Sequence, residues 1–242
     1  MAEVLRLDGV TKSYGAVVVA DAQSWSLQAG EALGVIGPNG AGKTSMFNLV
    51  TGTVAPNAGR IWFDGQDVTG WPAARRCRAG IARSFQVPQP FGGMTVFENA
   101  LVAATQGAGE RGAKAEATCL DVLARTGLLP KANVLAKGLT LLERKRLELA
   151  RALCARPKVL LLDEIAGGLT EAECHSLVAT IRDVRATGVS IVWIEHVVHA
   201  LLAVVDRLIV IDFGRKIAEG EPHAIMASRE VKEIYLGIEA DA

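Results

Sequence analysis

Short apolar runs, each closed by a turn that contains glycine, predict strands in the first third of the chain. Over residues 92–155 the apolar positions recur at helical spacing instead. In the last third, wholly apolar runs from Val159 and Val189 alternate with helical segments. Such strands are buried on both faces, so the pattern predicts an α/β fold whose parallel sheet is covered by helices on both sides. The early strand-like runs begin at Val4, Ser24, Ala32 and Arg60.

The pattern also predicts details of a late helix, of a helix in the middle of the chain and of the loop before that middle helix. Thr170 followed by Glu173 is a capping-box sequence, so a helix is expected to begin there and to end at Gly188. Residues 106–112, rich in Gly and Ala, are expected to form a mobile loop before the next helical pattern. The stripes expected to be buried are Cys174, Leu177, Ile181 and Val184 in the late helix, and Leu120, Leu123 and Ala124 in the middle one.

Composition narrows the class of protein. The 242 residues carry a formal net charge of +0, which argues against a surface devoted to nucleic acid or anionic lipid, and no nucleic-acid partner is expected. Half of the residues are hydrophobic, but each apolar run is far shorter than the roughly 20 residues that span a bilayer. The N-terminus has no secretory pattern, and the four scattered cysteines fit neither a disulfide framework nor a metal site. These features predict a cytoplasmic globular protein.

The strongest chemical signal is a phosphate-binding loop between a predicted strand and a predicted helix. Its glycines let backbone N–H groups approach phosphates, and the helix N-terminus favours the same anion. The lysine supplies a charge for the β- and γ-phosphates, and the threonine hydroxyl can ligate Mg²⁺. The pattern G-x-x-x-x-G-K-[ST] is matched in full by Gly37, Pro38, Asn39, Gly40, Ala41, Gly42, Lys43 and Thr44, and Ser45 follows at the start of the helix.

Two acids end the apolar strand that starts at Val159. Ligands bind beyond the carboxyl ends of parallel strands, which brings Asp163 near the metal position of Thr44. The Asp163 carboxylate can hold a water of the Mg²⁺ shell, and Glu164 can act as the general base for an attacking water. Taken alone, the pair would fit two solvated acids in a turn; the phosphate loop favours the functional interpretation.

Three further residues are weaker candidates. Gln86 ends an apolar stretch, where its amide could reach the metal and the attacking water, although a surface glutamine would look the same. His196 follows a predicted strand and could donate to a γ-phosphate. The Tyr14 ring could stack on adenine, but a half-buried tyrosine at a strand end fits equally well.

Together these motifs resemble the ATP-binding subunit of an ABC transporter. The motif order is GPNGAGKT, SFQ, LTLLERKRLELARAL, VLLLDE, GGLT and IEH, and it covers nearly the whole chain. The resemblance implies an ABC-type P-loop NTPase with a RecA-like core, an antiparallel β-subdomain and an inserted α-helical subdomain. The core and β-subdomain are expected over residues 1–86 and 156–242, and the helical subdomain over residues 87–155.

The resemblance also implies roles and partners. It assigns Tyr14 to adenine, Gln86 to Mg²⁺ sensing, Glu164 to the catalytic base and His196 to the γ-phosphate switch; Thr140 would meet the ATP of a second subunit. ATP and Mg²⁺ are the expected cofactors. The expected partners are a second ATP-binding subunit, membrane permease subunits and, indirectly, a solute-binding protein, which implies a peripheral site on the inner membrane face. Residues 84–104 and the C-terminal segment resemble subunits that serve branched-chain and related amino acids.

Two departures from the family pattern change the expectation. The signature loop, usually L-S-G-G-Q, reads from Leu139 to Glu143 as LTLLE, so Leu142 replaces the second glycine. The resulting hypothesis is a weak signature half-site that needs a different partner subunit. Thr170 stands where an Asp is common, and it has a helix-capping explanation. The alternatives are a non-transport ABC ATPase, a P-loop kinase and a module that binds ATP without cleaving it.

Overall fold

A computed structural model describes residues 2–236 as two sheets with helices around them. The predicted core extends to residues 1 and 237–242, which lie outside the described residues. The first sheet is antiparallel, with strand order β2-β1-β4-β5. Its strands are β1 (Glu3–Tyr14), β2 (Val17–Gln28), β4 (Ala58–Phe63) and β5 (Gln66–Asp67).

The second sheet has the order β10-β9-β3-β8-β7-β6, and only the edge strand β10 runs antiparallel to its neighbour. Its strands are β3 (Ala32–Ile36), β6 (Ile81–Arg83), β7 (Val159–Asp163), β8 (Ser190–Ile194), β9 (Arg207–Asp212) and β10 (Arg215–Gly220). The predicted parallel sheet is therefore confirmed, and its strands come from both ends of the chain.

The described residues form nine α-helices. They are α1 (Lys43–Thr51), α2 (Ala73–Ala79), α3 (Val96–Val102), α4 (Gly112–Arg125), α5 (Leu141–Cys154), α6 (Glu171–Ala186), α7 (Val198–Leu202), α8 (Pro222–Ala227) and α9 (Arg229–Leu236). Within residues 2–236, no helix has both the length and the apolar character needed to cross a bilayer.

The parallel sheet is buried on both faces, as its apolar strands predict. Along β7, Leu161 packs into the hydrophobic cluster under the antiparallel sheet, whereas Leu160 and Leu162 pack against the helices of the opposite face. Helix α6 covers that second face with the predicted stripe, from Cys174 to Val184, and the capping box of Thr170 and Glu173 begins it. The core thus fixes β7 and its terminal acids from both sides.

The middle segment forms a third hydrophobic cluster around α3, α4 and α5. The predicted stripe of α4 is wrong in part, because Leu120 and Ala124 are exposed and only Leu123 is buried. The face that packs on α3 and α5 instead begins with Ala115 and Cys119, whose small side chains allow close helix contact. A prediction based on the largest apolar residues therefore places the buried face of this helix about one residue away from the observed face.

The segment expected to be a mobile loop is tied into the structure. Residues 103–107 form a π-helical turn, and Glu110 is 5% exposed. Its carboxylate accepts a hydrogen bond from the Thr118 hydroxyl at 2.6 Å and lies 2.7 Å from Arg156 Nε. The buried carboxylate of Glu110, which composition alone did not reveal, therefore connects this segment to Arg156, just before β7.

Candidate functional site

The phosphate-binding loop joins the end of β3 to the start of α1. Gly37 and Gly42 are required by the local geometry, because a Cβ atom would lie 2.0 Å from the Ile211 carbonyl oxygen and 2.2 Å from that of Val19, respectively. Gly42 also has a φ of +99° at the N-cap of α1. The loop is thus packed against β9 and β2 and leaves the N-terminus of α1 open to an anion.

Lys43 begins α1 and turns back across the loop. Its Nζ donates to the carbonyl oxygens of Gly37 at 2.7 Å and Pro38 at 2.9 Å. Burial lowers the pKa of Lys43, and the carboxylates of Glu164 and Asp163 oppose that shift. The ammonium group is therefore held between the loop and the two acids, which is the position that a phosphate-binding lysine needs.

A cavity of about 550 Å³ opens over this loop. It brings together the phosphate-loop residues with three predicted catalytic side chains that lie far away in the sequence. The lining residues are Val19, Asn39, Gly40, Ala41, Gly42, Lys43, Thr44, Ser45, Gln86, Glu164 and His196.

Both oxygens of the Glu164 carboxylate are engaged. Oε1 lies 2.9 Å from His196 Nε2, and Oε2 accepts a hydrogen bond from Gln86 Nε2 at 2.5 Å. The carboxylate retains further lone pairs, so it can still accept a proton from a water in the cavity. The three residues that the sequence proposed for catalysis therefore form one contact chain at the cavity wall.

Asp163 is 1% exposed at the end of β7. Its Oδ2 accepts a hydrogen bond from Arg83 Nη2 at 2.5 Å, and Arg83 Nη1 donates to Asn48 Oδ1 at 2.7 Å. Burial raises the pKa of Asp163 above its ordinary value, although Arg83 and Lys43 oppose the shift. The sequence analysis missed Arg83, which lies 80 residues from its partner and whose only local signal was its place at a strand end.

The residues present fit a magnesium ion. Asp163 Oδ1 is buried without a hydrogen-bond partner among the described residues, and the Thr44 hydroxyl and the Gln86 amide line the neighbouring cavity. Carboxylate, hydroxyl and amide oxygens are the hard donors that Mg²⁺ prefers, usually together with several waters. A buried carboxylate oxygen that lacks a hydrogen-bond partner is a feature that a bound cation would satisfy.

The predicted binding and metal residues that are not part of the cavity lining are Gly37, Pro38, Asp163, Tyr14 and Thr140. Tyr14 ends β1 and is 53% exposed, with Lys12 Nζ 5.1 Å from the centre of its ring. Thr140 is the N-cap of α5, in the helical segment. The roles of Tyr14 toward adenine and of Thr140 toward the nucleotide of a second subunit remain predictions.

The signature turn has a local structure of its own. The Thr140 hydroxyl accepts a hydrogen bond from the Glu143 N–H at 3.4 Å, and Glu143 Oε2 accepts one from the Thr140 N–H at 3.0 Å. Lys131 forms an ion pair with Glu143 and lowers the pKa of its carboxyl group. Leu142 packs against the hydrophobic cluster of the core. The turn thus presents a capping box and a packed leucine where the family pattern has glycines.

Two buried charges beside the site were also missed. Lys145 of α5 is 4% exposed and donates from Nζ to the Glu164 carbonyl oxygen at 3.2 Å. Glu195, which precedes His196, is 1% exposed. The helical pattern of α5 could not reveal that Lys145 faces the core, because the strand loop that it contacts is distant in sequence.

A glycine loop after a buried strand, a lysine at the start of the following helix and acids at a second strand end define a P-loop nucleoside-triphosphate hydrolase. The sequence pattern of the ABC transporter family matches residues 20–167, and this chain belongs to that family. It is an ATP-hydrolysing, ATP-binding subunit of a transporter, and the α/β fold with its helical subdomain is that of an ABC cassette.

Several characterised or named relatives span nearly the whole chain. A probable ABC transporter ATP-binding protein of Azorhizobium caulinodans is 36% identical over 96% of this chain and 82% of its own length. BraF of Pseudomonas aeruginosa and LivG of Escherichia coli are named high-affinity branched-chain amino acid transport ATP-binding proteins. They are 32% and 34% identical, respectively, each over 97% of this chain and 98% of its own length.

Solved structures agree with the fold. A nucleotide-free ATP-binding cassette from an ABC transporter is 29% identical and superposes with a TM-score of 0.89 over 98% of this chain and 100% of its own. The ADP conformation of MJ1267, an ATP-binding cassette of an ABC transporter, is also 29% identical, with a TM-score of 0.90 and the same coverage.

Proposed function

We propose that the chain powers the import of branched-chain or related hydrophobic amino acids by hydrolysing ATP. The single observation that carries the enzymatic part is the convergence of Lys43, Glu164, Gln86 and His196 on one cavity. The substrate class is supported by the names of BraF and LivG, which align with this chain from end to end. The chain would work at the inner face of the membrane, bound to permease subunits.

In the proposed reaction, water attacks the γ-phosphoryl group of ATP, the bond between the γ-phosphorus and the β–γ bridging oxygen breaks, and ADP and inorganic phosphate are the products. Lys43 and the N–H groups of the loop hold the phosphate charge, and Glu164 takes the proton of the water. Gln86 and His196 fix the two oxygens of the Glu164 carboxylate, so that its orientation depends on both loops. Thr44, Gln86 and Asp163 would hold Mg²⁺, which when bound neutralises phosphate charge.

A groove on the other side of the helical segment is the proposed permease contact. It has a volume of about 430 Å³ and lies between α2, the residues after β6, and α5. Cys77, Ala82 and Phe85 contribute apolar lining, and the buried Glu148 carboxylate forms an ion pair with Arg151 in the same lining. This chemistry fits a short amphipathic helix of a membrane subunit. Phe85 directly precedes Gln86, which would connect the groove to the Glu164 contact chain.

The proposed working unit contains two nucleotide-binding chains arranged head to tail. Leu142 and the Glu143 carboxylate make this signature turn a poor match to an anionic phosphate, so we propose a second, different ATP-binding subunit as the partner. Purified chain alone should therefore hydrolyse ATP weakly. Vigorous turnover as a homodimer would contradict the different-partner proposal.

The same two residues also favour a second candidate, a regulatory module that binds ATP with little turnover. Reconstitution distinguishes the two. The chain, a candidate partner ATPase and candidate permease subunits are placed in liposomes, and uptake of radiolabelled leucine and phosphate release are measured together. ATP-dependent uptake that is lost with Glu164→Gln supports the transport proposal. Tight ATP binding with neither uptake nor phosphate release would support the regulatory candidate instead.

A further inference from the structure

Helix α5 places a buried lysine against the backbone of the proposed base. Lys145 Nζ donates to the Glu164 carbonyl oxygen at 3.2 Å, while the Glu164 N–H donates to the Ile194 carbonyl oxygen at 2.9 Å. Glu164 has a φ of +46°, a strained conformation that a residue with a side chain rarely adopts. The strained backbone is therefore held from β8 on one side and from α5 on the other.

A buried carboxylate ties the same region to the loop of the histidine. The side chain of Glu195 accepts hydrogen bonds from the backbone N–H groups of Ala166 at 2.6 Å, His196 at 3.1 Å and Val197 at 3.4 Å. Ala166 follows the proposed base after β7, and His196 follows β8. One side chain thus connects the two loops that carry the proposed base and the proposed switch.

Lys145 and Glu195 are both buried charged residues beside the site. Burial lowers the pKa of Lys145, and the charges of Glu195 and Glu164 oppose that shift. Burial raises the pKa of Glu195, and this shift is opposed mainly by its three backbone hydrogen bonds and to a smaller extent by the charge of Lys145. A buried charge that loses its compensating charge is strongly unfavourable. Removing the charge of Lys145 would therefore remove the donor to the Glu164 carbonyl oxygen and part of the charge compensation at Glu195, which is bonded to both loops.

We propose that two buried residues, Lys145 and Glu195, act as a positioning pair that transmits the position of α5 to Glu164 and His196 of the same chain. Lys145 acts through its hydrogen bond to the Glu164 carbonyl oxygen, and Glu195 acts through its hydrogen bonds to both loops. The inference rests on the proposed function, because it concerns the geometry of the hydrolytic site. Neither residue is a catalytic residue, since both act through the backbone of others. When α5 moves away from the parallel sheet, the hydrogen bond from Lys145 to the Glu164 carbonyl oxygen is lost. The backbone of Glu164 then changes its position in response to the helix.

The test uses the complete transporter and steady-state ATP hydrolysis. Lys145→Met removes the charge but keeps the length of the stem, so we expect kcat to fall at least about tenfold while KM stays within about twofold. Lys145→Arg, which keeps the charge, should retain most of kcat. Adding Glu195→Gln to Lys145→Met should cost less than the product of the two single effects, because the second variant removes the uncompensated charge.

Arg156→Met is the matched control for a merely structural role. Arg156 also pairs with a buried carboxylate, Glu110, but outside the site. We expect it to lower the melting temperature without changing kcat of the folded protein. Backbone amide exchange gives a readout that needs no hydrolysis: Lys145→Met should speed exchange at Ala166, His196 and Val197, and Arg156→Met should not.

The outcomes separate this inference from the proposed function. A wild-type transporter that does not hydrolyse ATP contradicts the proposed function, and the exchange measurement then still decides whether the pair positions the two loops. If wild type hydrolyses ATP and Lys145→Met has normal kcat and normal exchange, with only a lower melting temperature, the positioning pair is overturned.

Discussion

Replacing Arg83 by Met removes half of the buried ion pair beneath the site. The side chains of Arg83 and Asp163 are 6% and 2% exposed, and their charged atoms lie 2.5 Å apart. Met fills most of the same volume but removes the charge and the donors to Asp163 and Asn48. The Asp163 carboxylate would then be buried without the partner of Oδ2, while Oδ1 already lacks one among the described residues.

The size and pH dependence of the loss follow from this geometry. Removing one partner of a buried ion pair costs about 3–5 kcal/mol of folding stability. We expect a loss of about 3 kcal/mol, because the positive charge of Lys43 still partly compensates the Asp163 carboxylate. Burial raises the pKa of Asp163, so its charged form destabilises the folded state and stability is lost as pH rises through the folded pKa. Loss of Arg83 enlarges this effect. The variant should therefore differ more from wild type at pH about 8 than at pH about 5.

Urea unfolding followed by the fluorescence of the four tryptophans measures this difference at both pH values. Arg60→Met is the control, since Arg60 and Asp67 form an exposed pair at 4.0 Å and should contribute no more than about 0.5 kcal/mol. A loss below about 1 kcal/mol for Arg83→Met, or an equal loss at both pH values, would refute the assignment of a buried, charge-dependent pair.

Three further changes test the nucleotide site. Glu164→Gln should lower kcat at least about 100-fold, the usual contribution of a general base, while the affinity for a fluorescent ATP analogue stays within about threefold; retained turnover removes Glu164 from this role. Lys43→Ala should weaken ATP binding at least about tenfold in the same titration, and unchanged affinity contradicts the phosphate-loop assignment. Gly37→Ala places a Cβ 2.0 Å from the Ile211 carbonyl and should abolish ATP binding, whereas Gly30→Ala, which also has positive φ but nothing within 4 Å, should keep it.

The sequence was sufficient to predict site residues where the motif is contiguous or where their position follows from sheet topology. The phosphate loop is contiguous, and the place of Asp163 and Glu164 follows from the rule that parallel strands end at one sheet edge. That rule also explains why Gln86 and His196, which follow β6 and β8, meet Glu164 in the structure. Each of these four residues lies at the end of a strand or within three residues after it.

The sequence was not sufficient to predict the burial of a charged side chain whose partner is distant in sequence. Arg83 and Lys145 look like ordinary surface cations in a sequence, because exposure is the usual state of such residues. Their burial depends on Asp163 and on the Glu164 backbone, which lie 80 and 19 residues away. The predicted buried face of α4 was wrong in part for a related reason. Small residues such as Ala115, rather than Leu120, determine how closely the helices pack.

One rigid helix therefore meets three proposed functional contacts. Helix α5 has 14 residues, about 21 Å of length at 1.5 Å per residue. Thr140 caps its first turn, Lys145 contacts the Glu164 backbone one turn later, and Arg151 lines the proposed permease groove in its last turn. Because a short helix moves as a unit, a displacement imposed at the groove reaches the lysine without any change in the side chains between them. The proposed coupling between a membrane subunit and Glu164 would then run through α5 in addition to the route through Phe85 and Gln86.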